Sequence, residues 1–228
     1  MAKRPPHTLP YATHQWVGEL LYQARNTLVH VSMLLGNSYS QATMFFCGRT
    51  VSCSPLVARL DKVRSQLDDT LFVEHGQGLQ PHTEATRALL RVYYPESPLW
   101  HTRLAYDSYT ASRRRRRPGG KWWLTWQDHL SLAEMLFQCE DMLRSVWGTT
   151  LRAYGATDPK NRLLETLVPS GTALSRLQCW CQDRMHEAEE RGILQWPPDL
   201  SRDLYTNGRK YFTPWATLYP SPALEIPA

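Results

Sequence analysis

Residues Ser54 to Gly76, SPLVARLDKVRSQLDDTLFVEHG, decide the fold class. Leu56, Leu60, Val63, Leu67 and Leu71 recur every three or four residues, a period that stacks their side chains along one face of an α-helix. Ser54 offers a capping hydroxyl, Pro55 takes the first helical position, where its missing N–H is harmless, and Gly76 ends the pattern.

The same period extends in both directions. Upstream, Thr13 is a predicted cap for a helix ending at Leu35, with Gly36-Asn37 as a left-handed stop. At 100° per residue, Trp16, Val17, Leu20, Leu21, Ala24, Thr27, Leu28, Val31, Leu34 and Leu35 share an arc of about 140°, the expected core face. Ser38 to Cys53 contains an apolar run too short to assign by period. Downstream, a short helix fits His82 to Tyr94, with Ala85, Leu89 and Val92 on one face and Pro95 as the stop. Thr125 with Asp128 reads as a capping box, and apolar positions from Leu130 to Leu151 carry a long helix toward Gly155. Pro159 to Val168 and Ser170 to Arg191 read as two further helices, the second ended by Gly192. The expectation is an all-α fold: a helical bundle of about five or six helices with extended N- and C-terminal arms. In residue numbers, that is a proline-rich arm over 1–12, a helical domain over 13–192 with a basic loop at 99–125, and a proline- and aromatic-rich arm over 193–228.

Composition narrows the class. The 228 residues are 42% hydrophobic and 21% charged, which fits a folded globular chain and excludes collagen-like or low-complexity classes. No run approaches the roughly 20 apolar residues of a membrane span, and Met1 to Pro6 lacks the apolar segment of a secretory signal, so an intracellular protein without membrane contact is expected. Five cysteines, an odd number at spacings unlike a zinc knuckle, point to reduced thiols. No metal or cofactor is expected.

Charge is concentrated in one place. Leu99 to Thr125 holds seven basic residues (Arg103, Arg113 to Arg117, Lys121) against Asp107, a local +6. With a net charge of +5 overall, the rest of the chain stands at about −1. Five adjacent guanidinium groups repel one another and resist burial, while Pro118-Gly119-Gly120 keeps them on a loop. Phosphate is their natural counter-charge, since guanidinium matches its oxygens in pairs. Tyr106 and Tyr109 before the run and Trp122, Trp123 and Trp126 after it offer rings for unstacked bases, which favours RNA or single-stranded DNA over duplex. The expected nucleic-acid-binding residues are Arg103, Tyr109, Arg113, Arg114, Arg115, Arg116, Arg117, Lys121 and Trp122. A solvated loop, a localisation signal and a contact for an acidic protein are the competing readings.

A second motif is Arg25-Asn26-Thr27-Leu28-Val29-His30. It resembles the active-site motif of HEPN-family helical ribonucleases. The resemblance implies metal-independent RNA cleavage by Arg25, Asn26 and His30, usually with the motif paired across a dimer. The chemistry is coherent, because histidine moves protons near neutral pH and arginine holds a scissile phosphate. On the helical wheel these residues fall outside the core arc, on a second face with Tyr22, Val29 and Met33 that suits a dimer or another interface. The alternative is a structural polar contact. P-loop, dinucleotide-binding, zinc-protease and di-iron signatures are absent. The expected role is a non-enzymatic nucleic-acid-binding accessory subunit of a larger assembly, holding protein neighbours through its arms and the Tyr22/Val29/Met33 face. A HEPN-like ribonuclease and a structural protein–protein interaction subunit are the alternatives.

Overall fold

A computed structural model describes residues 8–39, 45–46, 49–95, 124–155 and 162–206. Among these residues there are five helices: α1 (Tyr11–Ser38), α2 (Ser54–His75), α3 (Glu84–Tyr93), α4 (Trp126–Tyr154) and α5 (Arg162–Glu190). The α1–α2 connection adds a two-residue antiparallel pair, Phe45–Phe46 against Arg49–Thr50. The architecture is the expected all-α bundle.

Four helices form a ring. α1 borders α2 and α4, and α5 borders the same two, while the short α3 packs across α1 and α2. The α2 repeat delivers what its spacing promised: Leu56, Leu60, Val63, Leu67 and Leu71 are all at most 1% exposed. At about 1.5–3 kcal/mol per buried side chain, that stripe alone supplies on the order of 10 kcal/mol of gross burial energy. α1 and α2 run antiparallel, since His14 meets Glu74 at one end and Arg25 meets Asp61 further along.

Tertiary anchors move several boundaries away from the local signals. α1 begins at Tyr11 with Pro10 as its cap, not Thr13, because the preceding Leu9 is buried and its backbone is bonded to Glu74 and His75. α1 also runs through Gly36 to Ser38, where Tyr39 ends it by seating its ring against Trp180, 5.0 Å between centroids. The buried face of α1 is rotated by about 40° from the expected arc, toward His14 and Gly18. Trp16, placed in the core by the wheel, is 47% exposed as a result. Cys53, not Ser54, occupies the cap position of α2. α3 starts at Glu84, capped by Thr83, because His82 sits at φ +65 outside the helical range; Ala85 on this helix is exposed.

The largest departure is at Pro169. The two expected C-terminal helices are one continuous helix, α5, with the proline inside it. Proline in a helix interior costs about 3 kcal/mol through a lost hydrogen bond and a clash. That cost is met by burial on both sides of it, Leu167 before and Leu174, Leu177 and Trp180 after, all at 0% exposure. Ser170 donates to the carbonyl of Thr166 at 2.7 Å, and Arg59 of α2 donates to the Pro169 carbonyl at 3.2 Å. After α5 the chain turns back through Gly192, and residues 193–206 lie on the bundle. Leu194 and Tyr205 are buried there, and the Trp196 indole N–H donates to the Leu200 carbonyl.

One glycine sets a helix crossing. A Cβ on Gly18 of α1 would lie 2.2 Å from the carbonyl oxygen of Val92 in α3, so only hydrogen fits where these backbones meet. None of the described helices is long and apolar enough to cross a membrane.

Candidate functional site

Arg103, Tyr109, Arg113 to Arg117, Lys121 and Trp122 lie outside the described residues. The flanks of their segment are described. On the C-terminal side, Leu124 is buried and Thr125 with Asp128 forms the capping box that starts α4: the Thr125 N–H donates to Asp128 Oδ2 at 2.8 Å, and the Asp128 N–H donates to Thr125 Oγ1 at 3.3 Å. On the N-terminal side, α3 ends at Tyr93, whose carbonyl accepts from the Arg64 guanidinium. The same guanidinium lies 4.5 Å from the ring centre of Tyr94, which is 44% exposed. Both flanks are thereby fastened to the bundle, one by a cap and the other by a buried arginine.

The Arg25, Asn26 and His30 motif lies on α1. Arg25 Nε donates to Asp61 Oδ1 at 2.7 Å, and Arg64 donates to the same oxygen at 3.1 Å, so Asp61 is shared by two arginines. The Arg25 and Asp61 side chains are 33% and 40% exposed, where such a pair is worth about 0–1 kcal/mol. Five residues on a helix separate Arg25 and His30 by about 140°, so one chain does not bring them together. Asn26 Nδ2 and His30 Nε2 are buried polar atoms with no hydrogen-bond partner among the described residues. Burial lowers the His30 pKa, which keeps the imidazole neutral at pH 7. The Tyr22/Val29/Met33 face is half-buried. Val29 and Met33 line a cleft of about 360 Å³ with Ser32 of the same helix and Ser54, Val57, Ala58 and Asp61 of α2.

Sequence reasoning missed a polar cluster at the opposite end of the α1–α2 pair. His14 of α1 is fully buried; its Nδ1 lies 2.6 Å from the Tyr93 hydroxyl and its Nε2 lies 3.0 Å from Glu74 Oε2. The same carboxylate oxygen accepts the Leu9 N–H at 3.0 Å and the Tyr154 hydroxyl at 3.4 Å. His75 Nε2 lies 2.8 Å from the Leu9 carbonyl, and its ring meets that of His14 edge-on. Burial, then the nearby Tyr154, Asp68 and Glu74, push the Tyr93 hydroxyl well above its ordinary range, so it remains a phenol. Five stretches converge here: the residues before α1, α1 itself, the end of α2, the end of α3 and the end of α4. No short motif links positions so far apart, and Glu74-His75 is an ordinary helix terminus when read alone.

A second buried histidine–tyrosine pair lies elsewhere in the bundle. His129 Nδ1 is 2.6 Å from the hydroxyl of the fully buried Tyr205, and burial pushes the His129 pKa down to about 4. This pair fastens residues 193–206 to α4, and the Tyr205 N–H fastens them to α5 by donating to Gln182 Oε1 at 2.9 Å.

In comparisons with known proteins, no family model matches the chain, and no curated protein and no solved structure shows significant similarity to it.

Proposed function

We propose that this protein is a non-enzymatic nucleic-acid-binding accessory subunit that contacts phosphates through Arg113 to Arg117 and prefers RNA or single-stranded DNA to duplex. The observation that carries this reading is the charge partition: +6 over Leu99 to Thr125 and about −1 over everything else. A polyanion is attracted to one segment, and the remaining surface neither draws nor repels it. The aromatics beside the run add a means of holding splayed bases. Protein neighbours would meet the terminal arms and the Tyr22/Val29/Met33 face.

The test replaces Arg113 to Arg117 with serine and compares binding to RNA, single-stranded DNA and duplex DNA. Retained folding with binding reduced at least tenfold supports the reading. Unchanged binding by the folded variant overturns it.

A HEPN-like ribonuclease is the second reading, and one specific observation favours it. Buried polar atoms are normally satisfied, and Asn26 Nδ2 and His30 Nε2 have no hydrogen-bond partner among the described residues. A second copy of the chain, bringing Arg25 opposite His30, would supply one. RNA cleavage by the wild type that disappears in His30→Ala with the helical content preserved supports this reading. Intact RNA after incubation with folded wild type excludes it.

A further inference from the structure

We infer that His14, Glu74 and His75 bind one divalent transition-metal ion of the zinc class. One ligand atom from each residue lies within 4.8 Å of the others. Bonds of about 2.0–2.2 Å in a tetrahedral site place ligand atoms about 3.3 Å apart. His14 Nε2 and Glu74 Oε2, at 3.0 Å, already stand near this separation, and the His75 ring, its ligand atom within 4.8 Å of both, would close inward on the ion.

The outer contacts support the inference independently of that spacing. A metal-bound histidine ordinarily fixes its second ring nitrogen on a carbonyl, carboxylate or other oxygen, which sets both its tautomer and its orientation. His75 does this now. The Leu9 carbonyl can only accept, so His75 Nε2 carries the proton and the lone pair sits on Nδ1. His14 has the equivalent support from the Tyr93 hydroxyl at Nδ1. Without metal, His14 Nε2–H donates to the Glu74 carboxylate and Nδ1 pairs with the Tyr93 hydroxyl. With metal, the His14 proton resides on Nδ1, donated to the Tyr93 oxygen, and Nε2 is the ligand.

Charge points the same way. The Glu74 side chain is 2% exposed, and a divalent ion would place positive charge against this buried carboxylate. Two imidazole nitrogens and one carboxylate suit Zn²⁺ better than Ca²⁺ or Mg²⁺, which take oxygen ligands. Three protein ligands leave a fourth position for water or another donor. His75 is only half-buried, which provides an entry route from solvent. The ion would tie the start of α1 to the end of α2 and so reinforce the backbone clamp on Leu9. This inference is independent of the nucleic-acid reading, since it uses neither the basic segment nor the Arg25 motif.

The experiment uses the full chain, stripped with chelator and dialysed, then titrated with ZnCl2 against a competing zinc indicator, with metal content per chain measured by mass spectrometry. The wild type should take up one zinc per chain and show a zinc-dependent rise in Tm. His75→Ala and Glu74→Gln, each checked for helical content by circular dichroism, should weaken uptake at least tenfold and abolish the rise. His75→Ala is the variant best placed to fold, because its side chain is half-buried and at a helix end. No zinc uptake by the folded wild type would overturn the inference, as would uptake unchanged in both variants, which would assign the metal to the cysteines.

Discussion

Gly18→Ala tests the helix packing that holds the His14 cluster together. The new methyl carbon would sit 2.2 Å from the Val92 carbonyl oxygen and 3.0 Å from the Val92 carbonyl carbon. Ordinary contact between such atoms is about 3.4 Å or more, so α3 must retreat from α1 by about 1 Å. The obstacle is backbone rather than the mobile end of a side chain, which places the cost toward the upper part of the roughly 1–3 kcal/mol range for overpacking. Alanine returns up to about 1 kcal/mol through its better helix propensity. A net destabilisation of about 1–2 kcal/mol follows, a fall in Tm of roughly 2–8 °C for a chain of this size. Gly36 in α1 and Gly148 in α4 serve as controls, because a Cβ at either meets nothing within 4 Å. Gly36→Ala and Gly148→Ala should raise Tm by roughly 1–4 °C from propensity alone. Thermal denaturation of the three variants by circular dichroism decides the matter. If Gly18→Ala melts at or above the wild-type temperature, the close α1–α3 approach is wrong.

Two further perturbations read other parts of the bundle. Thr125→Ala removes half of the capping box at α4 and should cost about 1 kcal/mol, a fall of roughly 2–4 °C in Tm; no change would mean that the cap does not hold this end of the basic segment. His129 is held neutral in the fold, at a pKa of about 4 caused first by burial, whereas an unfolded chain protonates it near 6.5. Its contribution is therefore constant above about pH 6.5 and declines as pH falls toward 4, by up to about 3 kcal/mol. Asp68, raised to about 6 by burial and then by Asp69, has the opposite slope in the same window but is common to wild type and variant. Subtracting the urea-unfolding profile of His129→Asn from that of the wild type should leave a stability difference that shrinks from pH 6.5 to 4. A flat difference would contradict a buried neutral His129.

What the sequence revealed was local. The α2 leucine repeat and the Thr125–Asp128 box depend on residues three and four apart, and both appear as read. Errors arose where distant contacts outweighed local preference. Pro169 reads as a break, yet flanking side chains buried against α2 and α4 carry the helix through it. Trp16 reads as core because large apolar residues usually are, but the helix turns its small Gly18 face inward to meet α3. The His14 cluster was illegible for the same reason. His14 and Glu74 are sixty positions apart, and only the antiparallel pairing of α1 with α2 brings them to 3.0 Å. The basic segment differs in kind, since its signal is composition and charge, which no fold is needed to reveal.

The most direct measurement is the salt dependence of single-stranded RNA binding by the wild-type chain. Neutralising phosphates on a single strand releases counterions with a slope of about −0.7 per contact in log K against log salt. Five arginines at Arg113 to Arg117 then give a slope of about −3 to −4, and the serine variant should lose most of it. No binding by the folded wild type at low salt, or a slope near zero, would contradict phosphate recognition by this segment.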